Sequence, residues 1–230
     1  MLILAADTSS PVLSVAITDE NHLLAETYVE CGRAHSERLL ATVDWILKQA
    51  GVSLSDVEAY AVSVGPGSFT GLRIGVAALK GLALAHTKPL IGISTLPAMA
   101  QASGIQNGTV CPLLDARMKE VFGAVYSYTS GSRSEVVPMQ AAPIKTILDQ
   151  SNSDTLFIGE GAQLYADEIR AALPNAAFGD SGLNHPRASA VAAEAIAELA
   201  NGASADPASV APIYLRGSQA EEAKRSGKNT

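Results

Sequence analysis

A glycine-rich segment at residues 65–75, Gly-Pro-Gly-Ser-Phe-Thr-Gly-Leu-Arg-Ile-Gly, constrains the fold of this chain more than any other feature. The β-branched and apolar residues 59–64 before it predict a buried strand, and residues 70–86 after it predict a helix. Glycine and proline let the backbone turn sharply, and the free N–H groups at a helix start attract anions. The spacing nevertheless disagrees with both common nucleotide motifs. No lysine stands where a P-loop has one, and Gly71 comes one residue too late for the dinucleotide fingerprint. We therefore predict a tight strand-to-helix turn rather than a dedicated nucleotide loop.

The composition predicts a protein with a large apolar core, since 47% of its residues are hydrophobic and 17% are charged. The formal net charge of −7 argues against this chain binding nucleic acid on its own. Cys31 and Cys111 are predicted to be buried thiols in a reducing compartment. The chain opens on a strand-like segment without a basic leader and has no apolar run of about 18 residues, so we expect a cytoplasmic protein that does not span a membrane.

Two segments 108 residues apart share one pattern. Residues 3–17 contain an apolar strand that ends in Asp7, a short turn and an alternating strand, and residues 112–125 repeat this arrangement around Asp115. Two such hairpins predict a duplicated α/β unit, with chance similarity as the alternative. The two aspartates could face a cleft and help to position a metal-bound phosphate. Alternatively, they could accept hydrogen bonds from the backbone of their own turns. No second carboxylate is fixed nearby, which favours the turn. A nucleotide or anion contact through Asp7, Gly67 and Ser68 stays open.

The first predicted helix, residues 34–50, stops at Gly51, a residue type that favours helix ends. Its apolar residues form a single stripe at helical spacing, made of Leu39, Leu40, Val43, Ile46, Leu47 and Ala50. The stripe predicts that one side of this helix packs on a sheet.

The second predicted helix, residues 70–86, carries only Arg73 and Lys80 as formal charges. A helix with so little polar surface is buried on more than one side, against its own sheet and against a further helix or another protein. Three small residues at helical spacing make a shallow strip that either core packing or a subunit interface would explain: Gly71, Gly75 and Ala78. The interface alternative predicts that Gly75→Arg leaves the fold recognisable and abolishes association.

The usual groups of a catalytic site are missing from the sequence. The four histidines are too widely spaced for a local metal motif, and no Gly-x-Ser-x-Gly elbow follows a strand. Ser68 and Thr70 are better explained as caps of the helix that they open. We therefore predict neither a catalytic residue nor a metal site.

Five segments, taken in order, resemble the TsaB family, also called YeaZ, over nearly the whole chain. They are residues 4–9 (Leu-Ala-Ala-Asp-Thr-Ser), 65–75, 91–96 (Ile-Gly-Ile-Ser-Thr-Leu), 114–121 (Leu-Asp-Ala-Arg-Met-Lys-Glu-Val) and 212–216 (Pro-Ile-Tyr-Leu-Arg). The resemblance implies an α/β chain with the two-lobed actin-like, sugar-kinase-like ATPase superfold, which is also ribonuclease H-like. We expect a first lobe over residues 1–104, a second lobe over 105–216 and a flexible tail over 217–230. The helix-like residues 188–200 are expected to cross back to the first lobe.

The resemblance also implies a role beside TsaD, the catalytic relative, which carries a His-x-x-x-His pair after its own glycine-rich turn and helix. Thr95 and Met99 stand at the matching positions here, and a hydroxyl and a thioether do not replace two imidazoles on a cation. The family would therefore supply a non-catalytic subunit. With TsaE, TsaD transfers a threonylcarbamoyl group from threonylcarbamoyl-adenylate, made by TsaC, to N6 of the adenosine beside the tRNA anticodon.

By the same resemblance, TsaD is expected to dock on the helices over residues 34–50 and 70–86, with TsaE, an ATPase, completing a ternary complex. The chain is expected to form homodimers when alone and to contact tRNA only through the complex. It is expected to have no cofactor of its own, and a nucleotide bound at the TsaD interface stays an open alternative. Predicted partner contacts are Leu39, Val43, Ile46, Thr70, Gly71, Arg73, Ile74, Gly75, Ala78 and Leu82. The alternatives are an autonomous ATPase or sugar kinase that uses Asp7 and the glycine turn, and a metal-dependent peptidase.

Overall fold

A computed structural model describes residues 1–20, 22–32 and 34–215, so the predicted tail, residues 217–230, lies outside the described part. Within that part no helix is long and apolar enough to cross a lipid bilayer. The strands are β1 (Ile3–Asp7), β2 (Val12–Thr18), β3 (Leu23–Glu30), β4 (Ala59–Gly65), β5 (Leu90–Ser94), β6 (Gly108–Arg117), β7 (Glu120–Thr129), β8 (Ser132–Pro143), β9 (Leu156–Ile158) and β10 (Ala177–Phe178). The helices are α1 (His35–Ala50), α2 (Phe69–His86), α3 (Thr95–Ala102), α4 (Ile144–Leu148), α5 (Glu160–Leu164), α6 (Ala166–Ala172) and α7 (Ala188–Ala200), with a 3₁₀ turn at Ser181–Leu183.

The strands form two five-stranded mixed sheets with the same order. Sheet A runs β3-β2-β1-β4-β5 and sheet B runs β8-β7-β6-β9-β10. In each sheet the first three strands in the chain form an antiparallel meander, and the fourth lies parallel to the first. This repeated order confirms the predicted duplication and the α/β class of the actin-like superfold.

Strand β1 is buried on both faces, which explains its unbroken apolar sequence. Leu4 and Ala6 face one core cluster with α1 and α2, whereas Ile3 and Ala5 face a second cluster with α7. Sheet A is therefore covered by helices on both sides.

Helix α3 lies between the two sheets. Ala98 packs into the cluster under sheet A, while Leu96 and Met99 pack with apolar residues of sheet B. Helices α4, α5 and α6 cover the other face of sheet B. The layers thus run from α1 and α2 through sheet A, then α7 and α3, then sheet B, to α4–α6.

The predicted ends of the two main helices agree closely with the structure. Helix α1 ends at Ala50, and Gly51 after it adopts a left-handed conformation with φ of 71°. Helix α2 begins at Phe69, and the Ser68 hydroxyl accepts a hydrogen bond from the Gly71 N–H, so Ser68 is the cap. Thr70 lies inside the helix and is not a cap, contrary to the prediction.

Helix α7 packs on sheet A although it follows the strands of sheet B, so the predicted second lobe contributes a helix to the first sheet. Two ion pairs hold it. Arg187 donates to the Glu26 carboxylate on β3, with its Nη2 2.6 Å from Oε2. On the other side, Arg133 of β8 pairs with the buried Glu194, so α7 is tied to both sheets.

Candidate functional site

The glycine turn packs directly onto the hairpin that joins β1 and β2. The Ser68 N–H donates to the Ser9 carbonyl oxygen at 2.6 Å. A Cβ at Gly67 would overlap the Ser9 backbone, and its φ of 157° is near the limit of the region that disfavours side chains. Glycine is required here because only a bare backbone lets the two loops approach this closely.

The start of α2 packs on Thr8 of the same hairpin. The Thr8 hydroxyl donates to the Gly71 carbonyl at 2.7 Å. A Cβ at Gly71 would overlap the Thr8 carbonyl oxygen, and a Cβ at Gly75 would overlap the Thr8 hydroxyl. The strip of small residues on this helix is thus explained by packing inside the protein.

Residues 208–215, here called the C-terminal strap, cover the other side of the glycine turn. The Ile213 N–H donates to the Val64 carbonyl at 2.7 Å, and the Ile213 carbonyl oxygen lies where a Cβ of Gly65 would stand. The Tyr214 ring packs on Phe69, with ring centroids 4.8 Å apart. The turn is therefore enclosed between the first hairpin and the strap.

The two charged residues of α2 hold the strap in place. Arg73 donates through Nε to the Tyr214 hydroxyl at 2.9 Å, and its guanidinium carbon lies 3.9 Å from the centre of the Phe69 ring. Lys80 donates to the carbonyls of Ala208 and Val210 at 2.9 and 3.1 Å. Both charges thus act within the chain.

Asp7 is completely buried and serves its own turn, as favoured from the sequence. Its carboxylate accepts hydrogen bonds from the Ser9 N–H at 2.9 Å and from the Ser9 hydroxyl at 3.0 Å. Burial raises the pKa of Asp7, and the hydrogen bonds from Ser9 oppose this rise. An aspartate held in this way is not available to position a phosphate.

Asp115, the counterpart of Asp7, holds a more exposed turn. Its carboxylate accepts from the Arg117 N–H at 2.8 Å and pairs with the Arg117 guanidinium at 2.9 Å. Residues 117–119 all have positive φ, between 53° and 65°, which L-residues rarely adopt. This conformation presents Met118, whose side chain is 72% exposed, at the tip of the hairpin.

A cleft of about 780 Å³ lies between these two hairpins. Gly67 and Ser68 line it, together with Asp115 and Glu160, whereas Asp7 does not. The remaining lining comes from the two hairpins, the start of α1 with Gly32 before it, the glycine turn with the start of α2, and the end of the strap. Of the three residues predicted for an anion contact, two therefore face the cleft.

Half of the ten predicted partner contacts are buried. On α1, Leu39, Val43 and Ile46 are buried in the core under sheet A. On α2, Gly71 and Gly75 are also buried. The three side chains on α1 face inward because their stripe packs on the sheet, and the two glycines of α2 are covered by Thr8.

The other predicted contacts on α2 divide into two groups. Ile74, Ala78 and Leu82 are partly buried and pack on the core shared with α1. Thr70 and Arg73 are exposed, and Arg73 is already held by the strap. A side chain at Gly75 would meet the Thr8 hydroxyl, so Gly75→Arg is expected to disturb the packing of α2 as well as any association.

The exposed face of α2 was missed from the sequence. It includes Ala77, Gly81, Leu84 and Ala85, and the Leu84 side chain is 59% exposed. A Cβ at Gly81 would meet no atom within 4 Å. A helix that is apolar on all sides has no polar stripe in its sequence, so the sequence does not show which side faces outward. On α1, Leu40 and Trp45 are exposed as well, so Leu40 does not belong to the buried stripe in which it was predicted.

Thr95 and Met99 are both buried, at the first turn and in the middle of α3. Across residues 1–20, 22–32 and 34–215, no three His, Cys, Asp or Glu side chains are grouped so that they could hold a metal ion. Cys111 is buried and Cys31 partly buried, both are free thiols, and burial raises the pKa of each.

Comparisons with known proteins agree with the sequence resemblance. The family model of TsaD, tRNA N6-adenosine threonylcarbamoyltransferase, matches residues 29–224. The tRNA threonylcarbamoyladenosine biosynthesis protein TsaB of Escherichia coli K12 is 38% identical over 174 residues, 73% of this chain and 74% of that protein. TsaB of Bacillus subtilis 168 is 32% identical over 225 residues, 96% of each protein. A solved structure from Pseudomonas aeruginosa, described as similar to the peptidase YeaZ, superposes with a TM-score of 0.82 at 31% identity, covering 94% of this chain and 99% of that one.

Proposed function

The chain belongs to the TsaB family and takes part in tRNA threonylcarbamoyladenosine biosynthesis, and on that premise we propose that it is a non-catalytic subunit that docks onto TsaD. Its role is to hold TsaD in its active shape in the cytoplasm while TsaD, with TsaE, transfers the threonylcarbamoyl group to tRNA. This chain then contacts tRNA only as part of that complex.

The exposed outer face of α2 carries this proposal. Ala77, Gly81, Leu84 and Ala85 leave an apolar helix surface uncovered by the described residues. Small side chains let a partner helix approach closely, and an apolar patch of this kind is typical of a protein–protein interface. The docking surface therefore lies on the outer side of α2, with Leu40 and Trp45 of α1 as additional contacts, and not on the buried stripe predicted from the sequence.

The family-model match supports TsaD as the partner, because it indicates that TsaD and this chain share a fold. Two chains of one fold can pair through equivalent helices in a pseudo-symmetric dimer. The same face would pair two copies of this chain when TsaD is absent.

The geometry of the glycine turn supports a role without catalysis. The first hairpin packs directly against the glycine turn, and the Asp7 carboxylate is hydrogen-bonded within its own turn. Autonomous nucleotide hydrolysis and peptidase activity are the rival functions, and each predicts turnover by the purified chain alone. A nucleotide at the TsaD interface would contact Gly67 and Ser68 rather than Asp7.

Ala77→Arg tests the docking face. We expect at least a hundredfold loss of affinity for TsaD, because a long cation would have to be buried at the centre of an apolar interface. Binding is measured by calorimetry or biolayer interferometry with the TsaD of the same organism. Ala171→Arg, at an exposed alanine on α6, is the matched control and should bind like the wild type. Equal affinity of the two variants would place the interface elsewhere.

A further inference from the structure

The C-terminal strap lies beside α2 in the layer of helices that covers one face of sheet A. Helix α1 packs over β2 and β3, and α2 packs over β1 and β4. Val210 of the strap is buried in the same core cluster and packs over β5, where it lies 3.2 Å from the position of a Cβ at Gly92. The strap thus occupies the side of α2 that faces away from α1.

The two edges of the exposed face of α2 contact these two neighbours. Arg73 and Lys80 are about two turns apart on one edge, and both donate hydrogen bonds to the strap. Ile74 and Ala78 lie on the other edge and pack on the core shared with α1. The exposed face of α2 is therefore bordered by α1 on one side and by the strap on the other.

The exposed face of α2 is too small to hold a partner by itself. A stable interface takes about 800 Å² and roughly 20–30 residues from each side. This face offers only a few exposed positions, and three of them, Ala77, Gly81 and Ala85, have small or no side chains. A partner that sits on α2 must therefore contact the elements on either side of it as well.

The strap presents large side chains next to this face. Ile213 and Tyr214 are 40% and 41% exposed. The Tyr214 ring packs on Phe69, and its hydroxyl accepts the hydrogen bond from Arg73, so the ring is held in place within the chain. Tyrosine and arginine are enriched among the residues that contribute most to binding, and side chains that are already held lose less entropy when a partner binds.

We propose that the docking surface for TsaD extends from α2 onto the strap, where Ile213 and Tyr214 contact the partner. This inference rests on the proposed function, because it takes TsaD as the protein that sits on the outer face of α2. The strap is then a part of the interface as well as a cover of the glycine turn. Arg73 and Lys80 have the role of fixing the strap against the edge of the docking helix.

Ile213→Glu tests the strap through the affinity for the TsaD of the same organism, measured by biolayer interferometry. We expect at least a tenfold loss, because a carboxylate would be buried against an apolar partner surface. Val136→Glu, at an exposed β-branched residue on β8, is the matched control and should bind like the wild type. Circular dichroism and urea unfolding check that both variants fold like the wild type.

Hydroxyl-radical footprinting of the wild-type complex gives a second readout, which does not depend on the folding of a variant. Tyr214 should be modified at least threefold more slowly when TsaD is bound at saturation. Tyr165, a half-buried residue beside α6, should react at the same rate in the free and the bound chain. Protection of Tyr214 supports the proposal by itself if Ile213→Glu folds poorly.

Wild-type affinity of Ile213→Glu, together with unchanged modification of Tyr214, would overturn the proposal. If Ala77→Arg still loses affinity in that case, the docking face on α2 stands and only the strap is excluded. If Ala77→Arg also binds like the wild type, the proposed docking face itself is rejected. Protection of Tyr214 at high concentration of this chain alone, but not by TsaD, would assign the strap to a contact between two copies, which also overturns the proposal.

Discussion

Gly71→Ala will destabilise the protein by about 3 kcal/mol or more, whereas Gly81→Ala on the same helix will stabilise it by about 0.5–1 kcal/mol. The new methyl group at Gly71 would overlap the Thr8 carbonyl oxygen, a backbone atom held in the first hairpin. Neither partner can move without breaking the hydrogen bond between the Thr8 hydroxyl and the Gly71 carbonyl. At Gly81 the methyl group would enter open space, and alanine lowers the conformational entropy of the unfolded chain.

The free energy of unfolding is measured for both variants by urea denaturation, with helix content followed by circular dichroism. The two variants carry the same chemical change on one helix, so helix propensity cannot explain a difference in sign. A Gly71→Ala variant within 1 kcal/mol of the wild type would contradict the close packing of the glycine turn on the first hairpin.

Breaking the ion pair between Arg133 and Glu194 will cost about 3–5 kcal/mol, because it leaves a charge buried without a partner. The guanidinium donates to both carboxylate oxygens, at 2.5 and 2.8 Å, and also to the Pro97 carbonyl at 3.1 Å. Burial alone would lower the pKa of Arg133, but the Glu194 carboxylate outweighs this and raises the pKa above its usual range. The pair joins β8 of sheet B to α7, which packs on sheet A.

The stability of a double variant distinguishes an unpaired buried charge from a simple loss of packing. Arg133→Met should be strongly destabilised, and adding Glu194→Leu should recover most of the loss, since no charge then remains buried. Lys145→Met removes an exposed pair with Asp149 on α4 and should change stability by less than about 0.5 kcal/mol. Thermal and urea unfolding of the four proteins measure these differences. A double variant less stable than Arg133→Met would show that the pair acts by packing rather than by charge.

The duplicated fold could be predicted because the signal lies in strand patterns that repeat along the chain. Asp7 and Asp115 each end an apolar strand and start a hairpin, and both hairpins stand at the same place in their sheets. Burial of both faces of β1 leaves a continuous apolar run, so this element was visible without any knowledge of its neighbours.

The surface of α2 could not be predicted in the same way. The strip formed by Gly71 and Gly75 looks like an interface from sequence, but it is small because Thr8 packs on it. Thr8 precedes these glycines by more than 60 residues, and no local pattern joins them. The roles of Arg73 and Lys80 were hidden for the same reason, since the strap residues that they contact lie 141 and 130 residues further along the chain.

The most direct test of the account is the yield of threonylcarbamoyladenosine in tRNA when TsaD, TsaE and TsaC are supplied with this chain, without it, or with Ala77→Arg. We expect product with the wild-type chain and with the control Ala171→Arg, and little or none without the chain or with Ala77→Arg. Full yield without the chain would contradict its role as a required subunit. Full yield with Ala77→Arg alone would keep that role and reject the outer face of α2 as the docking surface.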